Sequence, residues 1–391
     1  MTPSLRTVID TLEAAYPPHL AEPWDAVGLV CGDPDEPAGT VLVCVDVTDE
    51  VVDAAIEAGA GLILAHHPLL LRGVESVAAD TPKGRLLHRL IRARCALYSA
   101  HTNADKARPG VSDALARLLG LEETVPLVPE PAAALDKWVV MVPEGSADQV
   151  SEAMFAAGAG ALGDYRDCQW SVVGTGQFLP VDAARPAIGA LGELTRIDEA
   201  RLEMVAPRGR RGAVLQALRF AHPYEEPAFD VFTQAALDSD LGLGRVGRLA
   251  RPTTLRAFTE HAAAVLPRAA WPIRAAGDPD AVVQTVAVCG GAGDSAIGAA
   301  TAAGADVYLT GDLRHHVVDE SLRAGSPALI DAGHWATEFP WCGDAAEVLA
   351  GAGCRAVVYQ RPTDPFTLAP VPDDPSAGVP EHPAAHPDER P

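Results

Sequence analysis

Three short apolar runs, separated by segments with helical spacing, limit this chain to very few folds. "TVLVCVDVT" (40–48), "GLILAHHP" (61–68) and "ALYSAHTNAD" (96–105) are rich in Val, Leu and Ala, as suits strands buried on both faces. Between them lie "DEVVDAAIEAGA" (49–60) and "PKGRLLHRLIRARC" (82–95), whose apolar residues recur at helical intervals, and a further helix is expected from Ser4 to about Ala15. Such β-α-β-α-β order implies parallel strands, since each helix returns the chain to the same end of the sheet. The carboxyl ends of the strands then share one edge, where ligands collect in open α/β sheets.

A second series of this kind follows later in the chain. Strands are expected at "TVAVCGG" (285–291), "DVYLTGD" (306–312), "PALIDAGH" (327–334) and "CRAVVYQ" (354–360), with helices between them. The main α/β domain therefore reads as two related β-α halves. Between the halves, prolines cluster before "KWVVMVP" (137–143), and two β-α-β units of similar length follow, with helices at 147–158 and 210–221. This pattern predicts a smaller ferredoxin-like α+β insertion. The expected organisation is residues 1–127 for the first half, 128–245 for the insertion, 246–371 for the second half, and a disordered tail at 372–391, which is rich in Pro and acidic residues.

Composition narrows the class. The chain has 391 residues, more than one ordinary domain, and 48% apolar with 21% charged residues is the balance of a globular protein. A formal charge of -23 repels phosphate backbones, so nucleic-acid binding is not expected without a local basic face. No signal-peptide order opens the chain and no apolar run is long enough to span a membrane, so a cytoplasmic protein without a membrane partner is expected. The seven cysteines are scattered with no C-x-x-C pair, which signals neither a disulfide framework nor a zinc knuckle.

Ligand-type residues gather at three strand ends. His66 and His67 follow "GLILA"; His101, Asn103 and Asp105 alternate in "SAHTNAD", which on an extended backbone places them on one face; His334 and Glu338 are four apart in "DAGHWATEF" and share a face of a helical turn. A single His-His pair reads equally as a solvated strand end. Convergence of three such groups on one edge is better explained by a metal site. Imidazole with carboxylate suits zinc, manganese, iron, cobalt or nickel, with zinc first, rather than calcium or magnesium. Five protein ligands exceed what one catalytic ion with open positions takes, so two divalent ions are expected, with hydrolysis as the default chemistry.

"WDAVGLVCG", "VCVDVT", "LAHHPLL", "SAHTNAD", "VAVCGGAGDSAI", "YLTGDLRHH" and "IDAGHWATE" resemble, in order, the motifs of the Nif-three-like dinuclear-metal proteins, also called GTP cyclohydrolase 1 type 2 homologues. The resemblance runs from about Leu5 to Val371. It implies His66, His67, Asp105, His334 and Glu338 as metal ligands with Glu338 bridging, His67 and Asp105 on one ion, and His66 and His334 on the other. It also implies a toroidal homohexamer and an insertion similar to the PII and CutA proteins. The family's W-D-N-V-G motif has Ala26 at its Asn position here, which argues against a polar role at that residue.

Other residues carry two readings each. His101 and His316 are candidate catalytic acid–base groups; a structural hydrogen bond serves His101 as well, and His315 reads as solvated. Asp46 is placed to orient a ligand histidine, although helix capping by Thr48 or Asp49 also explains its motif. Tyr224, Glu225 and Glu226 in "HPYEEPAFDV" form either a rigid turn or a ligand contact, and the glycines of "CGGAGDS" suit close packing better than phosphate binding. The function expected is a metal-dependent hydrolase of an unknown small-molecule substrate, with a non-catalytic regulatory oligomer sensing a ligand through the insertion as the alternative. No purine-reading motif or basic phosphate clamp supports GTP specifically.

Overall fold

The computed structural model describes residues 2–369. From the amino end run α1 (Leu5–Ala15), β1 (Gly28–Cys31), β2 (Thr40–Cys44), α2 (Asp49–Glu57), β3 (Ala60–Ala65), α3 (Pro82–Arg92), β4 (Ala96–Ser99), α4 (Thr102–Lys106), α5 (Val111–Leu118) and β5 (Leu121–Pro131). Next come β6 (Leu135–Pro143), α6 (Ala147–Ala156), β7 (Trp170–Phe178), β8 (Thr195–Pro207), α7 (Arg211–Ala221) and β9 (Phe229–Thr233). The chain continues through β10 (Asp238–Thr254), α8 (Leu255–Val265), β11 (Arg274–Ala276), β12 (Val282–Ala292), α9 (Ile297–Ala302), β13 (Val307–Gly311), α10 (His315–Arg323), β14 (Ala328–Asp331), α11 (His334–Glu338), α12 (Pro340–Gly351) and β15 (Arg355–Val358).

Two compact units result. One takes residues 2–130 and 240–369; the other is Pro131–Ser239. In the larger unit one sheet has the order β1-β4-β3-β2-β15 and the other β11-β14-β13-β12-β10-β5. The first is parallel from β4 to β15, with β1 antiparallel at its edge. In the second, β12, β13 and β14 are parallel, while β11 and β10 run against them. Both sheets repeat one wiring: three successive parallel strands, with a short antiparallel strand added beside the third. Each third strand leads into a five-residue helix, α4 or α11.

Local signals account for the first elements. Ser4 caps α1 by accepting from Thr7 N–H, and Thr48 caps α2 by accepting from Val51 N–H. Leu5, Val8 and Leu12 of α1 share a face and are buried against Tyr98, Trp341 and Leu349 in one core cluster.

Two expectations are corrected here. The extended run expected through 105 ends at Ser99, and residues 102–106 form α4 instead. Polar side chains turn the chain: Asn103 Oδ1 accepts from His101 N–H at 2.9 Å, and Asp25 Oδ2 accepts from Thr102 N–H at 3.0 Å. The last strand, expected to extend the second series, instead adds to the first sheet beside β2. Trp341, Cys342, Ala345 and Leu349 of α12 pack with α1 in the first core, and the position beside β12 is already taken by β10.

The smaller unit is a four-stranded sheet of order β7-β8-β6-β9, antiparallel throughout, with α6 and α7 supplying Val150, Met154, Val214 and Leu218 to its core. The expected tail at 372–391 lies outside the described residues. No described helix is long and apolar enough to cross a membrane.

Arg245 of β10 is fully buried, and all five of its N–H groups are used. Nε and Nη2 donate to the two Asp113 oxygens at 2.8 and 2.7 Å, and the remaining donors reach the carbonyls of Gly242, Gly244 and Ala107. Asp113 also accepts from Gly110 N–H at 2.8 Å, at the start of α5. This pair ties the first half to the second. Replacing Asp113 with Ala leaves a buried guanidinium without its counter-charge, and a destabilisation of about 3–5 kcal/mol is expected in denaturant titration.

Candidate metal centre

Four imidazoles turn one nitrogen outward to a fixed acceptor and the other inward to a common space. His66 Nδ1 lies 2.9 Å from Ala100 O, His67 Nδ1 2.7 Å from Asp46 Oδ1, His334 Nδ1 2.7 Å from Asp312 Oδ2, and His101 Nδ1 2.9 Å from Asp25 Oδ1. Each acceptor holds a proton on Nδ1 and leaves Nε2 with a lone pair, the form in which imidazole binds metals. The positions follow from the fold: His66 and His67 leave β3, Asp46 leaves β2, Asp312 leaves β13, and His334 opens α11.

Glu338 sits at the middle and is buried. Its Oε1 is 3.1 Å from His334 Nε2 and 3.5 Å from His66 Nε2, and its Oε2 is 3.0 Å from His67 Nε2. Asp105, on α4, brings Oδ1 to 3.7 Å from His66 Nε2. His67 Nε2 and His334 Nε2 are 3.2 Å apart. Two ring nitrogens at that distance need a proton or a metal ion with them.

Charge balance leads to the same requirement. Burial would raise the Glu338 carboxyl, but the charges of His67, His334 and His66 hold it well below the usual carboxylate range. Burial would lower the imidazoles, yet Glu338 with Asp46 pushes His67 up to about 10, and Glu338 with Asp312 pushes His334 up to about 11. Burial raises Asp105. Without metal, protons must supply positive charge among crowded rings; a divalent ion supplies it directly.

The donor atoms and their spacing fit a metal ion. His66 Nε2 is buried without a hydrogen-bond partner, and Glu338 Oε2, also buried, faces His67 Nε2. Two overlapping groups, His66–His67–His101 and His67–His334–Glu338, each place three donor atoms within 4.8 Å of one another. Nitrogen with carboxylate oxygen, and no thiolate, is the chemistry of borderline divalent ions.

The structure thus brings together His66, His67, His101, Asp105, His334 and Glu338. His316 stands apart, exposed in the first turn of α10, with its ring edge-on to His315. Asp46 orients His67, and its second oxygen accepts from Thr363 Oγ1 at 2.5 Å. His101 makes the structural bond expected as one of its two readings, to Asp25, whose carboxylate is buried and also accepts from Thr102 Oγ1 at 2.5 Å. Ala26 donates only its backbone N–H, to Asp25. Asp25 and Asp312 were not singled out from the sequence, although both lie in quoted motifs, "WDAVGLVCG" and "YLTGDLRHH". A lone Asp in a loop beside a strand carries no periodic signal that would mark it.

The chain matches the model of Duf34/NIF3 (NGG1p interacting factor 3) over residues 3–365. It belongs to the Duf34/NIF3 family. A Mycobacterium tuberculosis member named "GTP cyclohydrolase 1 type 2 homolog" is 56% identical over 94% of this chain and 98% of its own length. A Bacillus subtilis protein of the same name is 38% identical over 92% and 97%. Among solved structures, a Bacillus cereus "protein related to NIF3" is 36% identical with a TM-score of 0.69, and Staphylococcus aureus protein SA1388 is 25% identical with a TM-score of 0.79; each covers 94% of this chain and 100% of its own. The NIF3 fold is therefore present along nearly the whole chain.

The glycines of "CGGAGDS" serve close packing in this NIF3 chain. Gly291 has φ +67°, and a Cβ there would collide with Glu338 Oε1. Gly291→Ala is expected to displace Glu338 and lower retained divalent metal at least tenfold, read by chelator competition with zinc. Asp312→Ala frees the His334 ring and is expected to weaken the same binding about 10- to 100-fold.

Proposed function

We propose that this chain holds two divalent ions between His66, His67, Asp105, His334 and Glu338, with Glu338 bridging, and hydrolyses a small molecule there. Zinc is the first choice of metal, with iron, manganese, cobalt and nickel as alternatives. The observation that carries this reading is the buried Glu338 carboxylate, met by the Nε2 atoms of three imidazoles whose Nδ1 atoms are each held by a separate acceptor. The family resemblance pairs His67 with Asp105 and His66 with His334, whereas the distances set His66 beside Asp105 and His67 beside His334; all three imidazoles reach Glu338. When bound, a pair of such ions lowers the pKa of a shared water and polarises the scissile bond. His101, fixed by Asp25, presents its free nitrogen beside His66 and His67 and serves as the proton carrier. His316 is exposed on α10 and belongs to neither donor group, so no role at the ions is assigned to it.

The order β7-β8-β6-β9 with helices after β6 and β8 supports the ferredoxin-like, PII/CutA-like reading of the insertion. One other use of the protein is ligand sensing by that unit, which packs around its own core, within a homohexamer. A cytoplasmic location accords with seven free cysteines. The relatives' name suggests GTP ring opening as one activity to try.

Metal analysis of protein purified without chelator is expected to give two ions per chain, and Glu338→Gln one or fewer. Metal-loaded wild type is expected to turn over at least one member of a panel of nucleotides, phosphoesters and cyclic amides, with His67→Ala at least a hundredfold slower. No turnover at all, with a ligand that raises the melting temperature of both proteins alike, would replace the hydrolase with the sensing oligomer.

A further inference from the structure

Beside the cluster lies a cavity of about 220 Å³ that shares His67 and His334 with it. Trp271, Trp335 and Phe366 wall this space, and Asp46, Asp312 and Asp364 stand around it. The Trp271 and Phe366 rings meet at 5.3 Å. The chain after β15 builds part of the wall: Tyr359 N–H donates to Val43 O, Thr363 holds Asp46, and Asp364 Oδ1 accepts from Phe366 N–H at 2.8 Å.

Three features decide what fits. The volume is below the roughly 300–1,000 Å³ of pockets that take drug-sized ligands, so the part of a ligand held inside is one or two rings. The aromatic walls offer π faces to a flat ring. No lysine or arginine lines the cavity among the described residues; Arg274 lies over the Trp271 ring at 4.9 Å, but it is ion-paired with Asp331. Asp46, Asp105, Asp312, Glu338 and Asp364 meet at the cluster and cavity together. Two divalent ions would leave one of these negative charges uncompensated.

We propose that this cavity admits a flat one- or two-ring heterocycle that is neutral or positively charged, and that it excludes anions, nucleoside triphosphates included. The proposal rests on the metal-centre reading only in that the bound ring is the part presented to the ions. It separates this chain's substrate from the triphosphate that its relatives' name suggests.

The test uses nicotinamide, 1-methylnicotinamide and nicotinate, which share one ring and differ in charge, together with guanosine and GTP. Binding to the full-length protein, metal-loaded and metal-free, is read by tryptophan fluorescence and calorimetry at fixed ionic strength. Nicotinate is expected to bind at least tenfold more weakly than 1-methylnicotinamide. Guanosine should bind more tightly than GTP. Phe366→Ala, at an exposed side chain, should weaken all ring binding roughly tenfold, and Asp364→Asn should narrow the gap between cation and anion. Nicotinate or GTP binding as tightly as its partner, no binding by any ring, or unchanged affinities in Phe366→Ala would each overturn the proposal. Metal content of the same samples keeps the two readings apart: a chain that takes up no divalent ion yet keeps the charge order refutes the centre alone, and a metal-loaded chain that prefers anions refutes the cavity assignment alone.

Discussion

A carboxylate buried far from solvent is costly unless positive charge meets it, and Glu338 is such a group. Its surroundings follow from that constraint. Imidazoles arrive from the end of β3 and the start of α11, Asp105 arrives on α4, and Gly290 and Gly291 remove side-chain bulk where β12 passes. The two sheets of the larger unit therefore meet over a charged cluster as well as over apolar cores. Arg245 repeats the arrangement at a second point, where a charge with every donor satisfied joins β10 to α5.

The two sheets share their wiring but divide the chemistry unevenly. The third strand of each half runs into a five-residue helix, and each helix brings one carboxylate, Asp105 or Glu338. The end of the middle strand differs: in the first half it gives the paired histidines, and in the second it gives Asp312, which holds a histidine in place. One half thus supplies more of the donors, and the other more of their support.

Much of this was legible in the sequence because it depends on short-range pattern. Apolar runs alternating with helical spacing gave the parallel strands, and strand-end histidines with the four-residue step from His334 to Glu338 gave the cluster. Asp46 was legible as a partner because it ends the neighbouring strand. The conformation at Asp105 was not: alternation suggested a strand, whereas hydrogen bonds to Asp25 and Tyr16, far away in the chain, turn it into α4. Asp25 and Asp312 escaped notice for the same reason, since their partners are 76 and 22 residues away. The placement of β15 depends on which helix α12 packs against, and no local pattern encodes that.

Because β15 pairs with β2, across more than three hundred residues, the first sheet reaches its full width only after nearly all of the polypeptide has been made. During synthesis β2 waits with one edge open while the insertion and the second sheet emerge, and a nascent chain in that condition invites pairing with its neighbours on a polysome. Among the described residues β15 thus acts as a late closure, and a chain cut short before it keeps an exposed edge.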